Sequence, residues 1–402
     1  MSIVSIADWS GASLPWSAEL AALKERLGSL FHRAERRGRV GLYLDGLIGG
    51  VERKNGWQLA EHAGDAAPWR MQAVLGRGFW DAEQARDICR DYVVERLGDP
   101  SGVLVLDETG FLKKGTHSVG VGRQYSATAG RIENCQVGVF LAYASRKGHA
   151  FIDRRLYLPQ DWALGAARRR QVHVPDGVVF ATKPKIATAM AAAALEAGVP
   201  CAWVLGDAVY GCDKGLRVML EAHDKPYALA VRGNEALMIG TSFHWRTAGD
   251  VAAGLGRDAW HRLAAGRGSK GPRLYDWARA RLNRLQSPPW DHWLLIRRSI
   301  SDPADLAFYV TFAPHATGLA ELAAVAGLRW TIEECFQSAK GAAKGETGLD
   351  HCEARSWHGW HRHMTLSMLA LAFLAGLRAR LQEARASTPS GKQNKRSLSA
   401  AA

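Results

Sequence analysis

Disulfide chemistry has little to work with in this chain. The six cysteines, Cys89, Cys135, Cys201, Cys212, Cys335 and Cys352, lie far apart and form no Cys-x-x-Cys pair. That spacing argues against a disulfide framework and a zinc ribbon, and favours a reducing compartment. The opening MSIVSIADWSGASLPW lacks a basic stretch followed by an apolar one, so no secretory signal is expected. Long hydrophobic runs are scarce as well. The longest, Met364 to Leu377, holds 14 residues and includes Thr365, Ser367 and Gly376. A membrane span needs about 20, so the run reads as a buried helix and the expectation is a soluble, cytoplasmic protein with no membrane partner. Acidic residues are outnumbered: 39 Asp and Glu face 52 Lys and Arg, for a formal charge of +13. What remains is ordinary globular material. With 402 residues, 47% hydrophobic and 23% charged, the chain is not mostly disordered and can build two or three domains around a large core.

The positive charge is clumped. Lys24 to Arg39 carries six basic residues against Glu25 and Glu35, and the tail from Gly376 carries six against Glu383 alone. A basic excess of this kind suits a polyanion, because neutralised phosphates release condensed counterions. A solvated surface chosen for solubility is the blander account.

Leu20, Leu23, Leu27, Leu30 and Phe31 recur at helical spacing after Pro15, and the helical pattern persists to about residue 98. Within it, Trp57 to Gly64, Pro68 and Met71 to Leu75 have the helix, turn and helix rhythm of DNA-reading modules, with Arg53, Lys54, Asn55 and Gln58 as the contact residues. Residues 1–98 are therefore read as an N-terminal helical DNA-binding domain. The texture then changes. Gly102-Val-Leu-Val-Leu-Asp107 is a continuous apolar run ending in a carboxylate, as in a strand buried on both faces. Val119 to Ser126 and Gln136 to Ala144 read as further strands, Pro184 to Gly198 as a helix, Cys201 to Gly206 as a strand ending at Asp207, Leu216 to His223 as a helix, and Pro226 to Val231 as a strand. This is the pattern of a mixed α/β layer fold. Residues 236–316, rich in Trp, Gly and Arg, read as a mostly β insertion, with helical periodicity returning from Leu319 to about Leu381. The core is thus assigned to 99–235 and 317–385, and 386–402 to a basic disordered tail.

Two aspartates at the ends of buried strands need a reason, since an isolated buried charge costs several kcal/mol. Each could simply open a turn, its side chain bonding backbone N–H groups. Alternatively, clustered carboxylates supply both ligands and countercharge to a hard divalent cation. A third element is Arg329-Trp-Thr-Ile-Glu333-Glu-Cys-Phe-Gln-Ser-Ala-Lys340 on a predicted helix. Offsets of four and seven from Glu333 put Arg329 and Lys340 on its face, whereas Glu334 turns off it. That row is either an ion-paired exposed face or a metal-ligating carboxylate flanked by phosphate-holding cations.

The chain closely resembles the DDE-type insertion-sequence transposases, in the branch marked by a Tyr-x2-Arg-x3-Glu-x6-Lys signature. The strings LVLDETGFLKKG around Asp107, GRQYSATAGRIENCQVGVFLAYAS after it, VLGDAVYG around Asp207, RWTIEECFQSAKG around Glu333 and GLDHCEARSWHGWHRHMTLSMLALAFL carry the resemblance. It implies a ribonuclease-H-like mixed sheet flanked by helices, interrupted by a β insertion. Asp107, Asp207 and Glu333 would be the catalytic metal ligands for two Mg²⁺ ions, with Mn²⁺ as a substitute. The implied reaction is cleavage and strand transfer of double-stranded DNA at terminal inverted repeats, by a homodimer on DNA in a prokaryotic cell. Arg329 and Lys340 match the signature's phosphate-gripping residues. The signature Tyr falls on Ala326, and Ala339-Lys-Gly-Ala-Ala-Lys-Gly345 resembles a tandem duplication, so either Lys340 or Lys344 could take the phosphate position. Related transposases lodge a flipped base against an aromatic ring in the insertion, and Trp290 and Trp293 are the candidates here, a core role being the alternative. His351, Cys352, His358, His361 and His363 match no zinc-ligand spacing. A DNA-binding relic without catalysis, or a structure-specific nuclease on the same fold, are the competing functions.

Overall fold

The computed structural model describes residues 16–76, 80–241, 243–268, 271–284, 289–340 and 347–387. Five helices open it: α1 (Trp16–Gly28), α2 (Ala34–Ile48), α3 (Gly56–His62), α4 (Trp69–Leu75) and α5 (Ala82–Leu97). Leu20, Leu23 and Leu27 of α1 and Val40, Tyr43, Leu44 and Leu47 of α2 are buried, the inward stripes that helical periodicity demands. Side-chain caps start two of these helices. Asn55 accepts from the N–H groups of Trp57 and Gln58 at α3, and Asp81 from Glu83 at α5.

Strands β1 (Val103–Leu112), β2 (Gly122–Ser126), β3 (Arg131–Ser145) and β4 (Gly148–Tyr157) follow. Then come α6 (Gln160–Leu164), α7 (Ala166–Gln171), α8 (Lys183–Glu196), β5 (Trp203–Gly206), α9 (Ala208–Gly211), α10 (Lys214–Ala222) and β6 (Tyr227–Val231). The next stretch holds β7 (Ala236–Met238), β8 (Trp245–Thr247), α11 (Ala248–Ala253), β9 (His261–Gly268), β10 (Gly271–Arg281), β11 (Trp290–Arg298) and β12 (Leu306–Pro314). Helices α12 (Leu319–Gly327), α13 (Trp330–Ala339) and α14 (Trp357–Ser387) close the chain.

The structure is mixed α/β, with one large sheet flanked by helices, consistent with a ribonuclease-H-like nuclease fold. Among the described residues the sheet has ten strands in the order β2-β3-β1-β5-β6-β12-β11-β10-β9, with β4 also paired to β3. The pairs β1·β5 and β5·β6 are parallel, and the other pairs of this sheet are antiparallel. Two departures from the sequence reading matter. First, β1 does not stop at Asp107. It continues to Leu112 because β3 offers pairing partners as far as Cys135. Second, the strand-rich stretch after β6 does not make a sheet of its own beyond the small β7·β8 pair. Instead β12 pairs with β6, Phe308 opposite Val231 through Phe312 opposite Tyr227, and β11, β10 and β9 extend the same sheet. Rings stacked along this seam, Tyr227 on Phe312 at 5.8 Å and Trp290 on Phe312 at 4.4 Å, bind the two parts laterally.

Helix α12 crosses this extension. A Cβ at Gly327 would collide with the Ala265 carbonyl of β9, and Arg273 of β10 donates to the carbonyls of Ala265 (3.1 Å) and Gly327 (3.2 Å). Helix α14, long and apolar enough to cross a membrane by length and composition, is instead a core element. Some 78% of its most apolar window is buried, against β4, α5 and α2.

Under the sheet, Phe140 and Phe151 receive Phe336 of α13 at 5.4 and 4.9 Å between ring centroids. That aromatic anchor fixes how α13 lies on β1. Phe336→Ala should lower unfolding stability by about 3 kcal/mol. Because it loosens the helix carrying Glu333, its loss should exceed that of Leu328→Ala, an exposed control, in parallel denaturant titrations.

Candidate active site

The last parallel rung between β1 and β5 joins Leu106 to Gly206. The next residue on each side is an aspartate, Asp107 still within β1 and Asp207 just past the end of β5. Asp207 is the N-cap of the single-turn α9, its Oδ1 accepting the Val209 N–H at 2.8 Å. Asp107 Oδ1 accepts the N–H of Glu108 at 2.7 Å. The turn-opening role allowed by the sequence is therefore real for Asp207, whereas Asp107 opens no turn and lies within β1. Burial is the largest influence on both. It pushes Asp107 up to about 7, reinforced by the charge of Asp207, and it raises Asp207 with help from Glu108. Two adjoining carboxylates in a poorly solvated place disfavour each other's ionisation.

Cationic relief comes from α13. Arg329 caps its N-terminus with helical backbone angles, and its Nη2 pairs with Glu333 Oε1 at 3.4 Å. Its charge also lowers the proton affinity of both Asp107 and Asp207. Arg329 thus pairs directly with Glu333 and reaches the aspartates through its charge alone. Among the described residues no three His, Cys, Asp or Glu side chains converge as a metal-holding group, so Asp107, Asp207 and Glu333 do not form one cluster here. Ala326, at the signature tyrosine position, is buried near the end of α12.

Lys340 departs from its expected place. Helix α13 ends at Ala339, and Lys340 is the C-cap with extended backbone (ψ 151°), so its side chain leaves the face shared by Arg329 and Glu333. The ammonium turns inward over Phe111 (5.2 Å) and Phe336 (5.7 Å), donating to Thr109 Oγ1, Thr128 Oγ1 (3.1 Å) and the Gly110 carbonyl (3.3 Å). Burial lowers it to about 8. Its charge is committed to the protein, just beyond Asp107, rather than presented to a phosphate. Lys344 lies outside the described residues.

Sequence reasoning missed a second carboxylate anchor. Glu108 Oε1 accepts from Lys183 Nζ at 2.7 Å, and its Oε2 accepts from the Tyr210 hydroxyl. The only signal was adjacency: Glu108 follows Asp107, and Tyr210 lies three residues after Asp207.

At α3, structure corrects part of the proposed contact surface. Lys54 is buried, its Nζ donating to the carbonyls of Gly49 (2.7 Å) and Gly46 (3.3 Å) at the end of α2, where carbonyls lack helical partners. It is not a DNA contact. Asn55 is occupied as the α3 cap and donates to Glu353 at 3.2 Å, and Gln58 accepts the Arg53 N–H at 2.7 Å. Arg53 is exposed, as are Trp57 (56%) and Trp69 (72%), which the sequence reading passed over. In the strand extension, Trp290 is half-buried on Phe312 and Trp293 lies under the Arg279 guanidinium at 4.1 Å. His363 is buried between the Tyr43 hydroxyl and the Gly348 carbonyl, each at 2.9 Å, and burial lowers it to about 4.

Fold and paired carboxylates together describe a nuclease of the ribonuclease-H-like class. Residues 26–267 match the family described as DDE superfamily endonuclease, and the chain belongs to that family. The match takes in Asp107 and Asp207 and stops short of Arg329, Glu333 and Lys340. Over 196 residues the chain is 26% identical to a probable transposase for insertion sequence element IS701 of Microchaete diplosiphon, covering 48% of each chain. The chain therefore spans about half the length of that curated relative.

The oxygen donors of Asp107 and Asp207 suit a hard divalent cation, which would also remove their mutual repulsion. Since Asp107 holds its proton more tightly folded (about 7) than at its ordinary 3.8, metal-free stability should fall as pH rises from about 4 to about 7. Asp107→Asn escapes that loss. At pH 8 without metal it should be more stable than the parent by about 2 kcal/mol, and the difference should vanish below pH 4 in thermal melts. For Lys54→Met, calorimetry should show a loss of about 1–3 kcal/mol from stranded carbonyls, with unchanged retardation of DNA on gels.

Proposed function

We propose that the protein is a metal-dependent DNA transposase, binding the ends of an insertion element, cutting there and joining the freed 3′ end to target DNA. The observation carrying this reading is the placement of Asp107 and Asp207 directly after the last parallel rung between β1 and β5, within a chain of the DDE superfamily endonucleases. Asp107, Asp207 and Glu333 would hold two Mg²⁺ ions, Mn²⁺ substituting, which supply activation of the attacking oxygen and charge neutralisation at the leaving oxygen.

The chain's own residues do the rest by position. Asp107 presents its carboxylate from within β1 and Asp207 from the turn that follows β5, so both sit on ordered backbone and little reorganisation accompanies reaction. Arg329, paired with Glu333 in the free protein, is placed to exchange that partner for a DNA phosphate, freeing the carboxylate. No protein nucleophile is needed: water or a 3′-hydroxyl forms the new P–O bond while the bond to the leaving 3′-oxygen breaks in line. The basic excess, exposed Arg53 and the α3–α4 pair support duplex binding by the N-terminal helices, 16–98 of the described chain, and Trp293 is retained as a stacking candidate. Joining two ends calls for a homodimer on DNA, acting in the cytoplasm.

The test uses purified protein, Mg²⁺ and a duplex carrying the inverted repeats that flank its coding region. Native protein should nick the repeat end, and Asp107→Asn or Asp207→Asn should cut about a thousandfold more slowly, several kcal/mol of transition-state stabilisation being lost. Equal cutting by native and variant proteins would refute the assignment. Binding without cutting would identify a catalytically inactive relic, and cutting of a scrambled duplex as fast as the repeat would identify a structure-specific nuclease.

A further inference from the structure

Strand pairing sets the two aspartates side by side only as far as Leu106 and Gly206. Beyond that rung β1 continues along β3, whereas the other chain leaves the sheet into α9. The backbone ladder therefore does not fix how far Asp207 stands from Asp107. A side-chain link does cross the gap. Glu108, one residue past Asp107, accepts the hydroxyl proton of Tyr210, which sits fully buried in the turn that Asp207 caps. Its other oxygen takes Lys183 Nζ at 2.7 Å, from the first turn of α8. Alternation along β1 turns Glu108 away from the face that Asp107 and Thr109 share, where Lys340 bonds Thr109. The opposite side of the turn is fixed as well: a Cβ at Gly211 would run into the Ala230 carbonyl of β6. The α9 turn is thus clamped between β6 and Glu108.

We infer that Glu108 is a positioning residue that sets the spacing of the Asp107–Asp207 pair through Tyr210, its own side chain held in place by Lys183. It touches neither substrate nor reacting atoms. This rests on the reading of that pair as a cation site. Outer partners of a metal site orient its ligands, and their loss commonly weakens metal affinity by about 10–100-fold.

The decisive measurement is Mn²⁺ binding to the full chain, followed by electron paramagnetic resonance, beside thermal melts and DNA gel shifts. Native protein should bind Mn²⁺ and Asp107→Asn should not. Tyr210→Phe, which deletes one hydroxyl and keeps the ring, should bind at least about tenfold more weakly, with DNA affinity unchanged and cleavage recovering at high Mg²⁺. Glu108→Gln, whose amide still pairs with the phenol, should stay close to native affinity. If Tyr210→Phe binds Mn²⁺ as native does while Asp107→Asn abolishes binding, the positioning role is overturned and the metal site stands. If native protein shows no Asp107-dependent Mn²⁺ binding, both fall. A Tyr210→Phe protein with a lower melting temperature but native Mn²⁺ affinity would show that the link only stabilises, which also overturns the proposal.

Discussion

Repulsion between Asp107 and Asp207 is the constraint around which this molecule is arranged. One hydrogen-bonded rung, Leu106 to Gly206, is followed on both sides by an aspartate, and burial deepens the cost of ionising both. Each neighbouring basic group can be read as an answer to that cost. Arg329 answers from α13, Lys340 from just beyond it, and Lys183 pairs with the adjacent Glu108. A site that must be held together by borrowed positive charge is prepared to accept positive charge from outside.

Anchoring of α13 connects this electrostatic arrangement to the core. Phe336 plugs into Phe140 and Phe151, while Glu333 and Arg329 ride on the same helix. The aromatic cluster therefore determines where Glu333 stands. At the helix end, Lys340 uses its ammonium to hold β1 and the β2–β3 turn together through Thr109 and Thr128. The placement of Arg329 and Glu333 and folding stability thus depend on the same few side chains, so substitutions there move both.

Much of this was legible from residue pattern. The run Val103 to Leu106 reads as a buried strand because apolar residues are unbroken, and the buried Met364 to Leu377 helix declares itself by length. Strand β4 escaped notice because Asp153 and Arg154 interrupt its apolar pattern; their charges are met by Arg86 and Glu83 of α5, partners only folding supplies. Lys54 misled for a related reason. A lysine ahead of a short helix pair looks like a phosphate contact, and only the open carbonyls at the end of α2 explain why it turns inward. The Glu108–Tyr210 link joins residues 102 positions apart, a separation at which periodicity carries no information. Strand content between residues 261 and 314 was readable, but not its destination, because edge pairing with β6 depends on which strand the core leaves uncovered.

That destination has a mechanical meaning. With β12 laced to β6 and α12 braced across from β6 to β9, the added strands continue the sheet that carries Asp107. Turning them about residue 232 would require breaking the β6–β12 ladder, Phe308 opposite Val231 through Phe312 opposite Tyr227. The aromatic rings of β11 and β12 are thereby tied, through backbone hydrogen bonds, to the strands of the core.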